Sequence, residues 1–164
     1  MRERPSRRPD RGFTLPELVI VMILTGILAV VAIPKMFDKS AFAARATRDY
    51  VASSLRYAQK SAIAMRRNVC VSVGTASLAV THAAAAGSDQ ACAASTVANP
   101  ATGAPFAGTS YESGSSVAVA VSVMFDALGR PLSAPSTPVA TTLAISVTGH
   151  ATPITIEPET GAVR

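Results

Sequence analysis

The chain has 164 residues, a mass of 16.8 kDa and a mean hydropathy of +0.34, which suits one small domain plus one apolar segment and is too short for two full-sized domains. Hydrophobic residues make up 49%, which excludes a disordered charged tail; 31 residues are alanine and only 5% are aromatic, so a core must come from Val, Ile and Leu. The net charge of +5 is unevenly placed: +3 over 1–12, −1 over 13–34, +6 over 35–67 and −3 over 68–164, a basic stem and a mildly acidic head rather than a uniformly nucleic-acid-binding surface.

Residues 1–12 carry Arg2, Arg4, Arg7, Arg8 and Arg11 and read as a basic leader. Phe13 to Ile33 is almost wholly apolar and predicts a helix of roughly 31 Å, close to the hydrocarbon thickness of a bilayer. The leading arginines place the N-terminus in the cytoplasm. A cleaved secretory signal would have a shorter apolar run and a better small-residue site than Val30-Val31-Ala32. A twin-arginine signal at Arg7-Arg8 is followed by Pro9 and Asp10 where apolar residues are preferred. A plain signal anchor leaves Glu17 unexplained, since an intramembrane carboxylate costs about 2.5–3.5 kcal/mol.

Gly12-Phe13-Thr14-Leu15-Pro16-Glu17-Leu18, followed by that apolar run, resembles the cleavage and methylation signal of type IV prepilins and type II secretion pseudopilins. The resemblance implies cleavage between Gly12 and Phe13 by a prepilin peptidase on the cytoplasmic face, then N-methylation of Phe13. Glu17 matches the family's glutamate at the fifth mature position, and Pro16 is a variant where many members have an aliphatic residue. Cleavage exposes the amine of Phe13, and Glu17 of one subunit can pair with that amine on its neighbour, which makes Glu17 the assembly residue.

Pro34 removes a helical N–H and predicts a kink at the end of the segment 13–34. An amphipathic helix is expected over 35–67, with Val51, Leu55, Ala58, Ala62 and Met65 on one face and Arg66 and Arg67 in its last turn. Its basic residues read as a solvated face; acidic heads of neighbours, membrane lipid and nucleic acid are the alternatives. The period then changes to two. Strands are expected at Val69–Val73, Ser77–Thr81, Val117–Phe125, Thr142–Thr148 and Pro153–Glu157, with a turn at 126–131 and an irregular excursion over 82–116. A long helix followed by consecutive strands predicts an α+β fold, the helix covering an antiparallel sheet in the head 68–164.

Leu55-Arg56-Tyr57-Ala58-Gln59-Lys60, Arg67-Asn68-Val69-Cys70-Val71, Phe125-Asp126-Ala127-Leu128-Gly129-Arg130 and Thr160-Gly161 resemble the GspH/FimT class of minor pseudopilins, including minor pilins of mannose-sensitive haemagglutinin (MSHA) pili. The resemblance implies a type IV pilin-like subunit in the bacterial inner membrane, single-pass, with a periplasmic head, then in a pilus or pseudopilus. Its partners would be the prepilin peptidase, other minor and major pilins, and the inner-membrane assembly platform. A periplasmic head would permit a Cys70–Cys92 disulfide tying the first head strand to the long loop; the alternative is a buried thiol at Cys70 and a free Cys92. His82, His150, Asp126, Glu157 and Glu159 show no metal-ligand spacing, and no catalytic string occurs, so no metal, cofactor or enzymatic activity is expected.

Overall fold

The computed structural model describes residues 13–36, 39–87, 89–92 and 95–164, and only the backbone of 31–36. The expected leader 1–12, including Gly12, lies outside the described residues. The chain divides into two compact units, one ending at Asp38 and the other running from Lys39 to Arg164.

The first unit contains one helix, α1 (Leu15–Met36). Its first bond runs from the Leu18 N–H to the Thr14 carbonyl at 3.2 Å, so the N–H that Pro16 lacks is one the first turn leaves unbonded anyway. The helix continues past Pro34 to Met36, because a proline so near the C-terminus costs one bond without breaking the turns before it. Among the described residues, no helix is long and apolar enough to cross a membrane; the side chains of α1 are described through Val30.

In the second unit α2 (Lys39–Met65) packs on an antiparallel sheet, an α+β arrangement consistent with a type IV pilin-like fold. The helical period buries Ala44, Val51, Leu55, Ala58 and Ala62 on one face. Met65, expected on that stripe, lies outside the core. The helix also stops two residues before the expected Arg67. Arg66 adopts φ 52°, and the Arg66 and Arg67 N–H groups bond back to Ile63 O and Ala62 O at 3.4 and 3.2 Å. This is a Schellman cap with arginine where glycine is usual.

The sheet comprises β1 (Val69–Val73), β2 (Ser77–His82), β3 (Ser95–Thr96), β4 (Thr109–Ser110), β5 (Val121–Phe125), β6 (Pro131–Ala134) and β7 (Thr137–Pro138). Its order is β3-β2-β1-β5-β6-β7, with β4 also on β2 and every pair antiparallel. The alternate valines Val69, Val71 and Val73 face α2, and Val80, Val123 and Phe125 complete that side of the core. β8 (Leu143–Ile145) and β9 (Ile154–Ile156) form a separate hairpin.

Three expectations need correcting. The alternation over 117–125 is one strand only from Val121; Val117 instead bridges to Val147, and residues 118–120 between them form an exposed bend. The excursion 82–116 is not wholly irregular. It supplies β3 and β4 and buries Val97 and Phe106, the latter bonded through its backbone to both Val80 and Val97. The β6–β7 ribbon was not expected, because Pro131 opens β6 and Pro138 ends the two-residue edge strand β7, and proline is not a strand signal.

Two turns meet on α2. The Gln59 side-chain amide donates to Gly129 O and to Thr160 O, both at 2.9 Å. Gly161, at φ +67°, lies so close that a Cβ there would sit 2.1 Å from Gly129 O. Gly161→Ala should therefore lose more than about 2 kcal/mol of stability, seen as a lowered urea midpoint of the full chain in detergent, whereas Gly103→Ala, facing open space at a similar φ, should lose only its backbone strain.

Candidate functional site

The residues singled out at the N-terminus gather at the start of α1. Phe13 is 81% exposed just before the helix, and Thr14 is its N-cap. The Glu17 carboxylate, at the third helical position, accepts the Thr14 backbone N–H at 3.5 Å. This is one half of a capping box, and the string Thr14-x-x-Glu17 before an apolar run was its sequence signal. Glu17 therefore turns back toward the helix start and sits at the positive end of the helix dipole.

Beyond Glu17 the described α1 side chains are apolar around the helix, and Leu18, Ile20, Met22, Ile23, Leu24, Ile27 and Leu28 are all more than half exposed. The Thr25 hydroxyl is satisfied by its own helix, donating to Val21 O at 2.8 Å and Met22 O at 3.0 Å as alternatives. A helix apolar on every side is unstable against water and requires an apolar environment or other helices.

The basic residues of α2 divide into two groups. Arg48 donates to Thr152 O at 3.2 Å, Arg56 donates to Val163 O through two nitrogens at 3.2 and 3.1 Å, and Arg67, just beyond the helix, donates to Ala84 O at 2.7 Å. These three arginines hold loops and the C-terminus to the helix. Among the described residues Lys39, Arg45, Lys60 and Arg66 have no such partner and are exposed.

Asp126 is buried and saturated. Its carboxylate accepts the Leu128 and Arg130 backbone N–H groups at 2.9 and 2.8 Å and the Arg130 guanidinium at 2.9 and 2.8 Å. It is a turn-former, not a free acid. Glu157 faces Arg164 at 3.8 Å. His82 and His150 bond locally, to Ala83 O and to Thr152. Among the described residues, no group of three or more His, Cys, Asp or Glu could hold a metal ion. A hollow of about 520 Å³ between Arg130, Pro138, Val139, Ala140, Pro158 and Glu159 contains no nucleophile paired with a base.

Cys70, on the sheet face away from α2, is joined to Cys92 by a disulfide with a Cα–Cα separation of 6.0 Å. Around it, the Asn68 side-chain amide donates to Gln90 O at 2.7 Å and Ala83 N–H to Asn68 O at 2.8 Å. The bridge closes a sequence separation of 22 residues. Replacing both cysteines with serine should cost about 3 kcal/mol in urea unfolding, and the loss should match that produced by reducing the native chain.

Residues 7–33 match the prokaryotic N-terminal methylation motif. That type IV prepilin-like signal supports a type IV pilin-like protein, membrane-anchored and processed by prepilin peptidase for assembly with other pilins. No curated protein and no solved structure matches the chain.

Tyr111 carries an electrostatic signature in the head. Its hydroxyl donates toward Gly74 O and Ser77 O, both at 3.0 Å, and its ring meets Tyr50 edge-on. Burial, and secondarily Tyr50, push its pKa up to about 12. The folded state thus holds this proton more tightly than the unfolded chain, so its contribution is complete below about pH 10 and is lost as pH rises toward 12. Alkaline unfolding in that window should shift upward in Tyr111→Phe, followed by far-UV circular dichroism.

Proposed function

We propose that the chain is a minor pilin or pseudopilin of the GspH/FimT class. Prepilin peptidase cuts between Gly12 and Phe13, Phe13 is N-methylated, and α1 inserts as a single inner-membrane span with the head in the periplasm. The subunit then enters a type IV pilus or a type II secretion pseudopilus at initiation or at the tip, through the assembly platform and contacts with other pilins. Its role is structural rather than enzymatic. The observation that carries the reading is the methylation motif over 7–33, which takes in most of a helix whose described apolar side chains are uncovered on all sides. Lipid covers such a surface before assembly and neighbouring stems cover it afterwards.

The pairing of Glu17 with a neighbour's Phe13 amine belongs to the same reading. The cap that Glu17 makes with Thr14 leaves its carboxylate exposed, so it can accept a cation without first breaking a buried interaction.

Intact-mass analysis of the membrane-extracted protein should find a chain beginning at methylated Phe13. A chain retaining Met1, or one beginning after Ala32, rejects the reading. Glu17→Ala should insert as well as the parent, because it removes a carboxylate from an apolar segment, while its recovery in sheared filaments falls at least tenfold. In those filaments the parent should be scarce beside the major subunit, and its deletion should sharply reduce filament number or secretion.

A further inference from the structure

The C-terminal end of α2 carries an exposed apolar pair that the core does not use. Leu128 is 70% exposed at the tip of the turn after β5, and Ile63 is 49% exposed on α2. Ile63 packs on the turn that carries Leu128, its Cδ1 lying 2.8 Å from where a Cβ on the next residue, Gly129, would stand. Lys60 lies one helical turn before Ile63 on the same face of α2, and Arg66 stands just past the helix end, three residues after Ile63. Both are exposed and neither has an ion-pair partner among the described residues.

Two observations set this patch apart from scattered surface residues. The turn that displays Leu128 is rigid. Asp126 anchors it through four bonds, Gly129 N–H returns to Asp126 O at 2.9 Å, and Gln59 holds Gly129 O from the helix side. An apolar side chain held so firmly loses little entropy when a partner covers it. Arg66, in turn, stands at a left-handed position where glycine would be more comfortable by roughly 1 kcal/mol. Its backbone closes the helix cap, while its exposed side chain makes no hydrogen bond or ion pair among the described residues and stays available to a partner.

We propose that Leu128, Ile63, Lys60 and Arg66 form a docking surface for another protein, whose contacting segment presents aliphatic side chains flanked by carboxylates. The apolar pair supplies a small dry centre, and the two cations select an acidic rim. An exposed apolar pair beside only two cations disfavours a broad polyanion and favours a partner with aliphatic side chains and a few placed carboxylates. The surface does not depend on the N-terminal signal. A chain left uncut at Phe13 would still present it, so failure of this inference and failure of the filament reading are distinguishable.

The test is photo-cross-linking in the producing cells, with a benzophenone side chain in place of Leu128 of the full-length protein and, as control, in place of the exposed Val119. Digestion and mass spectrometry then identify the linked peptide. Position 128 should link at least tenfold more than position 119, to a peptide combining aliphatic residues with Asp or Glu. Lys60→Glu with Arg66→Glu should remove that link at least tenfold, while Lys39→Glu should not. Arg66→Gly separates surface from stability: it should raise the melting temperature of the full chain in detergent and still weaken the cross-link. No link above the control, a link to lipid or nucleic acid, a peptide without carboxylates, or a link indifferent to charge reversal at 60 and 66 would overturn the proposal.

Discussion

The head depends on the contact between the small-residue face of α2 and the valine face of the sheet. Val51, Leu55, Ala58 and Ala62 are fully buried there, as are Val69, Val71, Val80, Val123 and Phe125. The alanines let the helix approach the sheet closely, and the β-branched residues fill the pleats without many rotamers to lose. Each fully buried Val, Leu or Phe contributes roughly 1.5–3 kcal/mol, so a few such positions offset the low apolar content of the alanine-rich remainder. The same contact fixes which way the sheet faces. Cys70 and Ser72 are directed to the other side, where the disulfide can reach the loop without entering the core.

Regular strands cover only part of the head, so many carbonyls in turns and loops need donors from elsewhere. The long polar side chains of α2 supply several of them. Arg48 holds Thr152 O, Arg56 holds Val163 O, Tyr57 holds Ala98 O at 2.8 Å, and Gln59 holds Gly129 O and Thr160 O. Helical spacing along α2 thus becomes a row of anchors for segments far apart in sequence. This explains why basic residues on this helix do not make a uniform cationic surface. Arg48 and Arg56 are used internally, and what projects outward is the remainder at Arg45, Lys60 and the two ends.

The helix, the first two strands and the α+β class were legible because their burial follows a single period. Val51, Leu55, Ala58 and Ala62 read as a helix face, and Val69, Val71 and Val73 as a strand face, with no knowledge of partners. Where the sequence keeps its period but the chain bends and changes its partner, local pattern fails. Val117 alternates with Val119 and Val121 as one strand would, yet it bridges to Val147. The segment 82–116 failed for another reason. Phe106 is buried by contacts with Val97 and Val80, and a lone aromatic among Ala, Gly and Thr gives no periodic signal. At the N-terminus the motif residues were readable from their spacing, whereas the Thr14–Glu17 cap needed the recognition that one glutamate can serve a helix start as well as an assembly contact. Gln59 carried no readable signal of its role, because the two carbonyls it joins belong to turns 70 and 101 residues away.

Glu17 shows how far the geometry of α1 constrains its use. A carboxylate in the first turn gains roughly 0.3–1 kcal/mol from the helix dipole, and the 3.5 Å bond from Thr14 N–H is long for a charge-assisted contact. Placing that carboxylate in hydrocarbon costs about 2.5–3.5 kcal/mol even on the lenient insertion scale. The cap therefore lowers the cost without removing it. It also holds the carboxylate at the end of the helix, turned back toward the Thr14 N–H. Had the glutamate stood one turn further in, at position 21, its dipole and cap stabilisation would have been lost and its neighbours on the helix face would have been Leu18 and Leu24. Under the proposed function, Glu17 stands where insertion costs less than deeper in the helix and where the amine of a neighbouring subunit would lower the free energy further.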